Sequence, residues 1–176
     1  MIILVGESGS GKSTIETLLQ EILGFNKVIS YTTRPLREGE VNGVNYHYVS
    51  VHEFAKLVCS DFFAETVEYR GNYYGMAKKD CKDDVVVVVE PNGLRQIKKI
   101  KGLNLITIYL EVPEKVRAVR MLERGDSFES VVERLYGDRE LFKDIECECG
   151  YVVNAEGDLL STFKEVCSIL RELGAI

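Results

Sequence analysis

Apolar positions along the chain follow two rhythms, and their alternation sets the architecture. "MIILVG" at the start is an unbroken apolar run that reads as a buried strand, and "KSTIETLLQEIL" then repeats its apolar residues at helical spacing. "KVISYTT" reads as another strand. "VVVVVE", residues 85–90, is a β-branched run ending in an acid, and "NLITIYLEV" is a second such run. Uninterrupted runs of this kind fit central parallel strands covered on both faces. "PEKVRAVRMLERG" predicts a helix started by Pro113 and stopped at Gly125. "DSFESVVERLYGDRELF" predicts a helix capped by Asp or Ser, "GYVVNAEGD" a last short strand, and "LLSTFKEVCSILREL" a closing amphipathic helix. Strands alternating with helices predict an α/β fold, a doubly wound central parallel sheet flanked by helices.

Residues 34–80 break this rhythm. They hold Pro35, four glycines and five of the nine tyrosines, with short alternating runs such as "VNYHYVS" and one short helix, "VHEFAKLVCSD". Alternation predicts a small mixed or antiparallel lobe. The expected organisation is one domain with a core of 1–33 and 81–176 and an inserted lobe at 34–80.

Composition narrows the function. With 176 residues, 45% hydrophobic and 28% charged, the chain suits one globular domain with a proper core. A net charge of -6 argues against a general nucleic-acid binder, which needs a basic surface to displace counterions. No apolar run reaches the ~20 residues of a membrane span, and "MIILV" is too short for the core of a signal peptide. The five cysteines are irregularly spaced; apart from the C-x-C pair Cys147 and Cys149, nothing has zinc-site spacing. They read as reduced thiols, which implies the cytoplasm. Nothing in the sequence points to a protein partner.

The candidate chemistry starts at "VGESGSGKST", residues 5–14. Gly6, Gly11, Lys12 and Ser13 meet the G-x-x-x-x-G-K-S/T pattern, and Ser8, Gly9, Ser10 and Thr14 complete the loop. Glycines let the backbone curl so that successive N–H groups point at phosphate oxygens, and the following helix aims its positive end there. Lys12 would bridge the β- and γ-phosphates of ATP, and the Ser13 hydroxyl would ligate Mg²⁺. A plain glycine turn is the competing reading, but the loop sits between a predicted strand and a predicted helix, the context a phosphate loop requires.

The second informative stretch is "SYTTRPLREGEVNGVNYHYVSVHEF". Arg34 and Arg37 lie three apart in a proline-bearing turn, and paired guanidinium forks suit a small dianion such as a monophosphate. Here the sequence resembles the guanylate kinase family. Ser30, Thr32, Thr33, Arg34, Arg37, Gly39, Glu40, Gly43 and Tyr46 fall in register with that family's pattern, and the likeness continues through "FFAETVEYRGNYYG", "VVVVVEPNG", "RMLERGDSFESVVERL" and "YVVNAEGDL".

The resemblance implies a P-loop kinase fold with an acceptor-binding lobe and a helical lid at about 124–140. It also implies ATP-dependent phosphorylation of GMP, and of dGMP, with Mg²⁺. By position, Arg34, Arg37, Tyr46 and Tyr74 resemble the clamp on the GMP phosphate, and Ser30 and Glu65 its guanine readers. Arg120, Arg124 and Arg134 resemble the arginines that close over the phosphates. Lys12, Arg34, Arg124 and Arg134 are the candidate catalytic residues, and Asn154 lies in the loop bordering the adenine.

The residues make chemical sense without the family. Guanine presents two adjacent N–H donors, and an ionised Glu65 can accept both; adenine would leave that carboxylate unpaired. A monophosphate with a second pKa of about 6 is largely ionised at pH 7, so no general base is needed. The chain departs from the family pattern at several places. Pro35 comes one position early, Glu7 replaces a proline and as a variable loop position is expected to point outward, and Met76 replaces a hydroxyl residue. Val88 and Glu90 stand for an Asp-x-Asp pair, so that Glu90 keeps one acid on the acceptor side, and Asn92 replaces a glutamine. These departures bear on base selectivity and metal geometry rather than on phosphoryl transfer. Two other readings stay open on sequence: a same-fold kinase for another phosphorylated acceptor such as ribose 1,5-bisphosphate, and a non-catalytic guanylate-kinase-like binding module.

Overall fold

A computed structural model describes residues 1–69 and 71–176. The chain runs β1 (Ile2–Val5), α1 (Lys12–Leu23), β2 (Asn26–Lys27), β3 (Tyr31–Thr32), β4 (His47–Tyr48), α2 (Val51–Cys59), β5 (Phe63–Tyr69) and β6 (Asn72–Ala77). It continues through β7 (Val85–Val88), α3 (Pro91–Ile97), β8 (Ile106–Glu111), α4 (Glu114–Glu123), α5 (Phe128–Leu141), β9 (Tyr151–Asn154) and α6 (Leu159–Glu172). A parallel sheet of order β2-β7-β1-β8-β9 forms the core. A second sheet, β4-β3-β6-β5, pairs β3 with β4 in parallel and its other neighbours antiparallel.

The first strand shows why the core sheet is covered on both faces. Ile2 and Leu4 pack with Ile15, Leu19, Val166 and Leu170 of α1 and α6. Ile3 and Val5 point the other way, to Leu94, Ile97, Phe142 and Ile145. All four strand residues are fully buried, and each contributes ~1.5–3 kcal/mol by leaving water. This two-sided burial fixes the end of β1, from which the phosphate loop emerges.

Helix termini follow the expected chemistry. Ser50 and Glu53 form a reciprocal capping box on α2. Ser127 accepts from the Ser130 N–H at the start of α5, and Asp158 accepts from Ser161 N–H at the start of α6. Gly11 caps α1 in the left-handed conformation at φ 92°, which a residue with a Cβ enters only at a cost.

One expectation changes. "KVISYTT" is not one strand: Lys27 ends the edge strand of the core sheet, and Tyr31–Thr32 joins the second sheet between β4 and β6. The chain changes sheets across Val28–Ser30, so the small sheet draws its first strand from before Arg34. Lys98, Lys99 and Lys101 lie past the end of α3, where Lys98 donates to the carbonyl of Glu148.

Candidate active site

Three clefts meet around the phosphate loop. One, of about 370 Å³, is lined by Ser8, Gly9, Gly11–Thr14, Arg120, Arg124 and Arg134. A second, of about 460 Å³, runs from Gly6, Ser8 and Lys12 to Ser30, Tyr46, Glu65, Tyr74 and Glu90. A third, of about 260 Å³, lies between Ser10, Gly11, Thr14 and Ile15 on one side and Arg120, Ala155, Gly157 and Leu159 on the other. Lys12 lines both of the first two.

The loop is held from below. Lys12 Nζ donates to the Glu7 carbonyl at 2.8 Å and to Ser10 Oγ at 3.4 Å. Burial of the ammonium lowers Lys12 to about 8, and Asp138 and Glu7 are the largest influences opposing that fall. At neutral pH the ammonium therefore keeps most of its charge. Gly9 has φ 82°, and a Cβ there would lie 2.8 Å from the backbone oxygen of Arg117, so the loop rests directly on α4.

Glu65, on β5, faces the second cleft. Burial pushes its carboxyl up to about 7, a backbone hydrogen bond from Met76 pulls the other way, and Glu90 adds to the rise. Two contacts fix its place. The Gln96 side chain donates to Thr66 O at 3.0 Å and accepts from Thr66 N–H at 3.1 Å, tying β5 to α3 at the next residue. Gly93 leaves the room: a Cβ there would lie 3.2 Å from Glu65 Oε2. Glu90 is also raised by burial, then by Asp138, while Lys12 lowers it.

The two arginines of the proline turn are placed differently. Arg34 pairs with Glu40 through NH2 at 2.7 Å and NH1 at 3.0 Å, and its guanidinium lies 5.6 Å from the Tyr46 ring centre and 5.7 Å from that of Tyr48. The Arg34 bond, followed by the Arg37 N–H, holds the Glu40 carboxyl well below its usual range. Arg37 is exposed, and neither arginine lines the second cleft.

The model of the family described as guanylate kinase matches residues 1–173. The chain belongs to the guanylate kinase family. It is 35% identical over 174 residues to a guanylate kinase of Neisseria gonorrhoeae, with 91% of this chain and 84% of the relative covered. A guanylate kinase of Rhizobium etli is 32% identical over 180 residues, covering 97% of this chain and 81% of that one. The crystal structure of guanylate kinase from Anaplasma phagocytophilum superposes with a TM-score of 0.72 at 25% identity, covering 98% of this chain and 84% of its own.

Of the residues expected from guanylate kinase resemblance, Lys12, Ser30, Tyr46, Glu65, Tyr74 and Glu90 share one cleft, and Arg120, Arg124 and Arg134 share another with the loop. Others are engaged elsewhere in this state. Arg120 NH2 donates to the carbonyls of Ala155, Glu156 and Gly157 at 2.9–3.1 Å, bracing the loop at the third cleft. Asn154 Oδ1 accepts from the Glu156 N–H at 2.9 Å within that same loop. Arg124 pairs with Asp126 at 2.5 Å. Met76, at 1% exposure, is packed with the core rather than turned to the cleft.

Glu7 does not point outward. Its carboxylate accepts from Tyr109 OH at 2.7 Å and lies 3.5 Å from Arg117 NH2. The guanylate kinase resemblance also passes over Arg117 and Asp138. A signal for both existed in the sequence: Arg117 lies four residues before buried Met121 on α4, and Asp138 seven after buried Val131 on α5. A charge on the core stripe of a helix requires a buried partner.

Proposed function

We propose that the chain transfers the γ-phosphoryl group of ATP to GMP, and to dGMP, by direct in-line displacement with Mg²⁺. The observation that carries this reading is the position of Lys12 at the meeting of two clefts, one lined by the loop and three arginines, the other by Ser30, Tyr46, Tyr74 and Glu65 among others. A donor in the first and an acceptor in the second would present their phosphates to the same ammonium.

In this reading the adenine lies in the third cleft, beside the 154–157 loop braced by Arg120. Loop N–H groups and Lys12 bind the β- and γ-phosphates. Arg120, Arg124 and Arg134 neutralise charge that spreads over the transferring group. Glu65 and Ser30 read guanine, and Tyr46, Tyr74, Arg34 and Arg37 hold the GMP phosphate. Glu90 stands on the acceptor side. Ser13 fits a metal ligand: its hydroxyl opens on the phosphate cleft, exposed and with no protein partner among the described residues, and oxygen donors of this kind suit Mg²⁺. Held at Ser13 together with ATP, Mg²⁺ would supply charge neutralisation at the transferring phosphate. Catalysis is then alignment and neutralisation, with the ionised acceptor phosphate as nucleophile.

Segment 34–80 acts as the acceptor-binding lobe and about 124–140 as the lid, both closing on the core when the two nucleotides are bound, which excludes water. Among the described residues no helix is long and apolar enough to cross a membrane. All five cysteines are free thiols, which favours the cytoplasm.

Neither open alternative is favoured. A ribose 1,5-bisphosphate kinase has no need of a desolvated carboxylate aimed at a base, and a binding module has no need of Lys12 and three arginines on one phosphate cleft. Coupled ADP formation with ATP, Mg²⁺ and a panel of monophosphates is the test. We expect turnover with GMP and dGMP and little with AMP; no GMP-dependent ADP from folded protein would end this reading.

A further inference from the structure

Arg117 carries a full charge under the phosphate loop with its side chain 4% exposed. Its guanidinium reaches the Ser8 carbonyl at 3.2 Å, the Val112 carbonyl at 3.2 Å, Asp138 Oδ2 at 3.3 Å and Glu7 Oε1 at 3.5 Å. Asp138 Oδ2 also accepts the Ser8 N–H at 2.7 Å. Arg117 thus meets the loop three ways: through its side chain on Glu7 and Ser8, through Asp138, and through its backbone under Gly9.

The two carboxylates raise a difficulty. Glu7 and Asp138 stand beside Lys12 and act on its charge. Left uncompensated, they would repel incoming phosphates and tie the ammonium to themselves, strongly so in a site that excludes water. Among the described residues, Arg117 is the one cation in contact with both. Among Glu7, Asp138, Arg117 and Lys12 two negative charges meet two positive ones, and Glu90 adds a further acid that acts on Lys12 from the acceptor side.

We propose that Arg117 is a positioning residue for phosphoryl transfer, which holds the Glu7–Gly9 corner of the phosphate loop and cancels Glu7 and Asp138, leaving the charge of Lys12 to the donor phosphates. The proposal rests on the loop taking ATP. It assigns Glu7 and Asp138 no contact with substrate; they act through Arg117 and the Ser8 amide.

Opposite charge changes should move donor affinity in opposite directions, which a role in packing alone would not do. The readouts are calorimetric Kd for β,γ-imido-ATP with Mg²⁺, and KM for ATP and GMP, on native protein and variants. Arg117→Met should weaken the analogue by about tenfold or more, with KM for GMP changed less than about threefold. The double variant Glu7→Gln/Asp138→Asn keeps oxygen acceptors and leaves Arg117 in surplus, so it should bind the analogue more tightly than native. The triple variant, with all three changes, should return to within about threefold of native. Native affinity in Arg117→Met, or a triple variant as weak as Arg117→Met, would overturn the proposal. Should Arg117→Met not fold, the double variant decides: affinity at or below native overturns it. Analogue binding is read without turnover, so a native protein that binds the analogue but does not phosphorylate GMP would refute the proposed reaction while these comparisons still stand.

Discussion

Glu40 holds one edge of the Arg34 guanidinium, through NH1 at 3.0 Å and NH2 at 2.7 Å. NH1 also donates to the Pro35 carbonyl at 2.9 Å. The Nε–H and the second NH2 proton lie on the opposite edge from Glu40, in the paired geometry a phosphate accepts. Glu40 therefore aims Arg34 rather than competing for it. Glu40→Gln should raise KM for GMP about 5- to 50-fold, through looser orientation of a charge-assisted contact, and leave KM for ATP nearly unchanged. Steady-state kinetics with each nucleotide varied in turn checks this; a fall in KM for GMP would make Glu40 a competitor.

Glu65 gives acceptor binding a pH dependence. With its carboxyl near 7 in the ligand-free protein, the reading form is lost as pH falls through 7. KM for GMP should rise toward tenfold per unit below that point. GMP's own phosphate protonates at about 6, so the window between about 6 and 7 isolates Glu65. Glu65→Gln should flatten KM across that window.

The same carboxylate weakens the fold. In the folded protein it titrates at about 7, above the ordinary glutamate value of 4.5. Between these values the native state binds more protons than the unfolded chain, so stability falls as pH rises through that range and stays lower above it. Glu65→Gln should therefore raise the melting temperature at pH 8, by an amount equivalent to about 1–3 kcal/mol, while GMP selectivity over AMP collapses. A thermal melt beside kcat/KM for both nucleotides tests the trade; an unchanged GMP-to-AMP ratio would remove Glu65 as the reader.

Gly93 should be a second determinant of GMP binding. A Cβ would stand 3.2 Å from Glu65 Oε2 and 3.3 Å from Val89 Cβ, so Gly93→Ala must push the carboxylate off its place. Displacement of that group by a few tenths of an ångström should raise KM for GMP about tenfold. KM for ATP should hold, and a variant with native values for both would show that the carboxylate has slack.

Lys12→Ala should lower kcat by at least ~10², the scale on which oriented charge at a transferring group contributes. Far-ultraviolet circular dichroism should show the fold intact. A variant near the native rate would take Lys12 out of the mechanism.

The sequence made the core sheet plain because residues such as Ile2–Val5 and Val85–Val88 are apolar on both faces, a pattern that only two-sided burial explains. It could not divide "KVISYTT", since β-branched residues favour strand in either sheet and the partners of Lys27 and Tyr31 lie far along the chain. The phosphate loop was legible from local spacing. The direction of Glu7 was not, because the residues that attract it, Tyr109 and Arg117, are on β8 and α4. Arg34 was recognisable as an anion-binding group, but its orientation depends on Glu40 folding back across the turn. Met76 could be seen to lack a hydroxyl; that it turns into the core is a matter of packing.

The amide of Gln96 has a consequence beyond catalysis. β5 is the outer strand of the small sheet, and its outward N–H and C=O groups could template a neighbouring molecule. At Thr66 the Gln96 side chain supplies both the donor and the acceptor that another strand would bring. Helix α3 thus closes this stretch of edge with one side chain, which protects the protein from strand-to-strand self-association there.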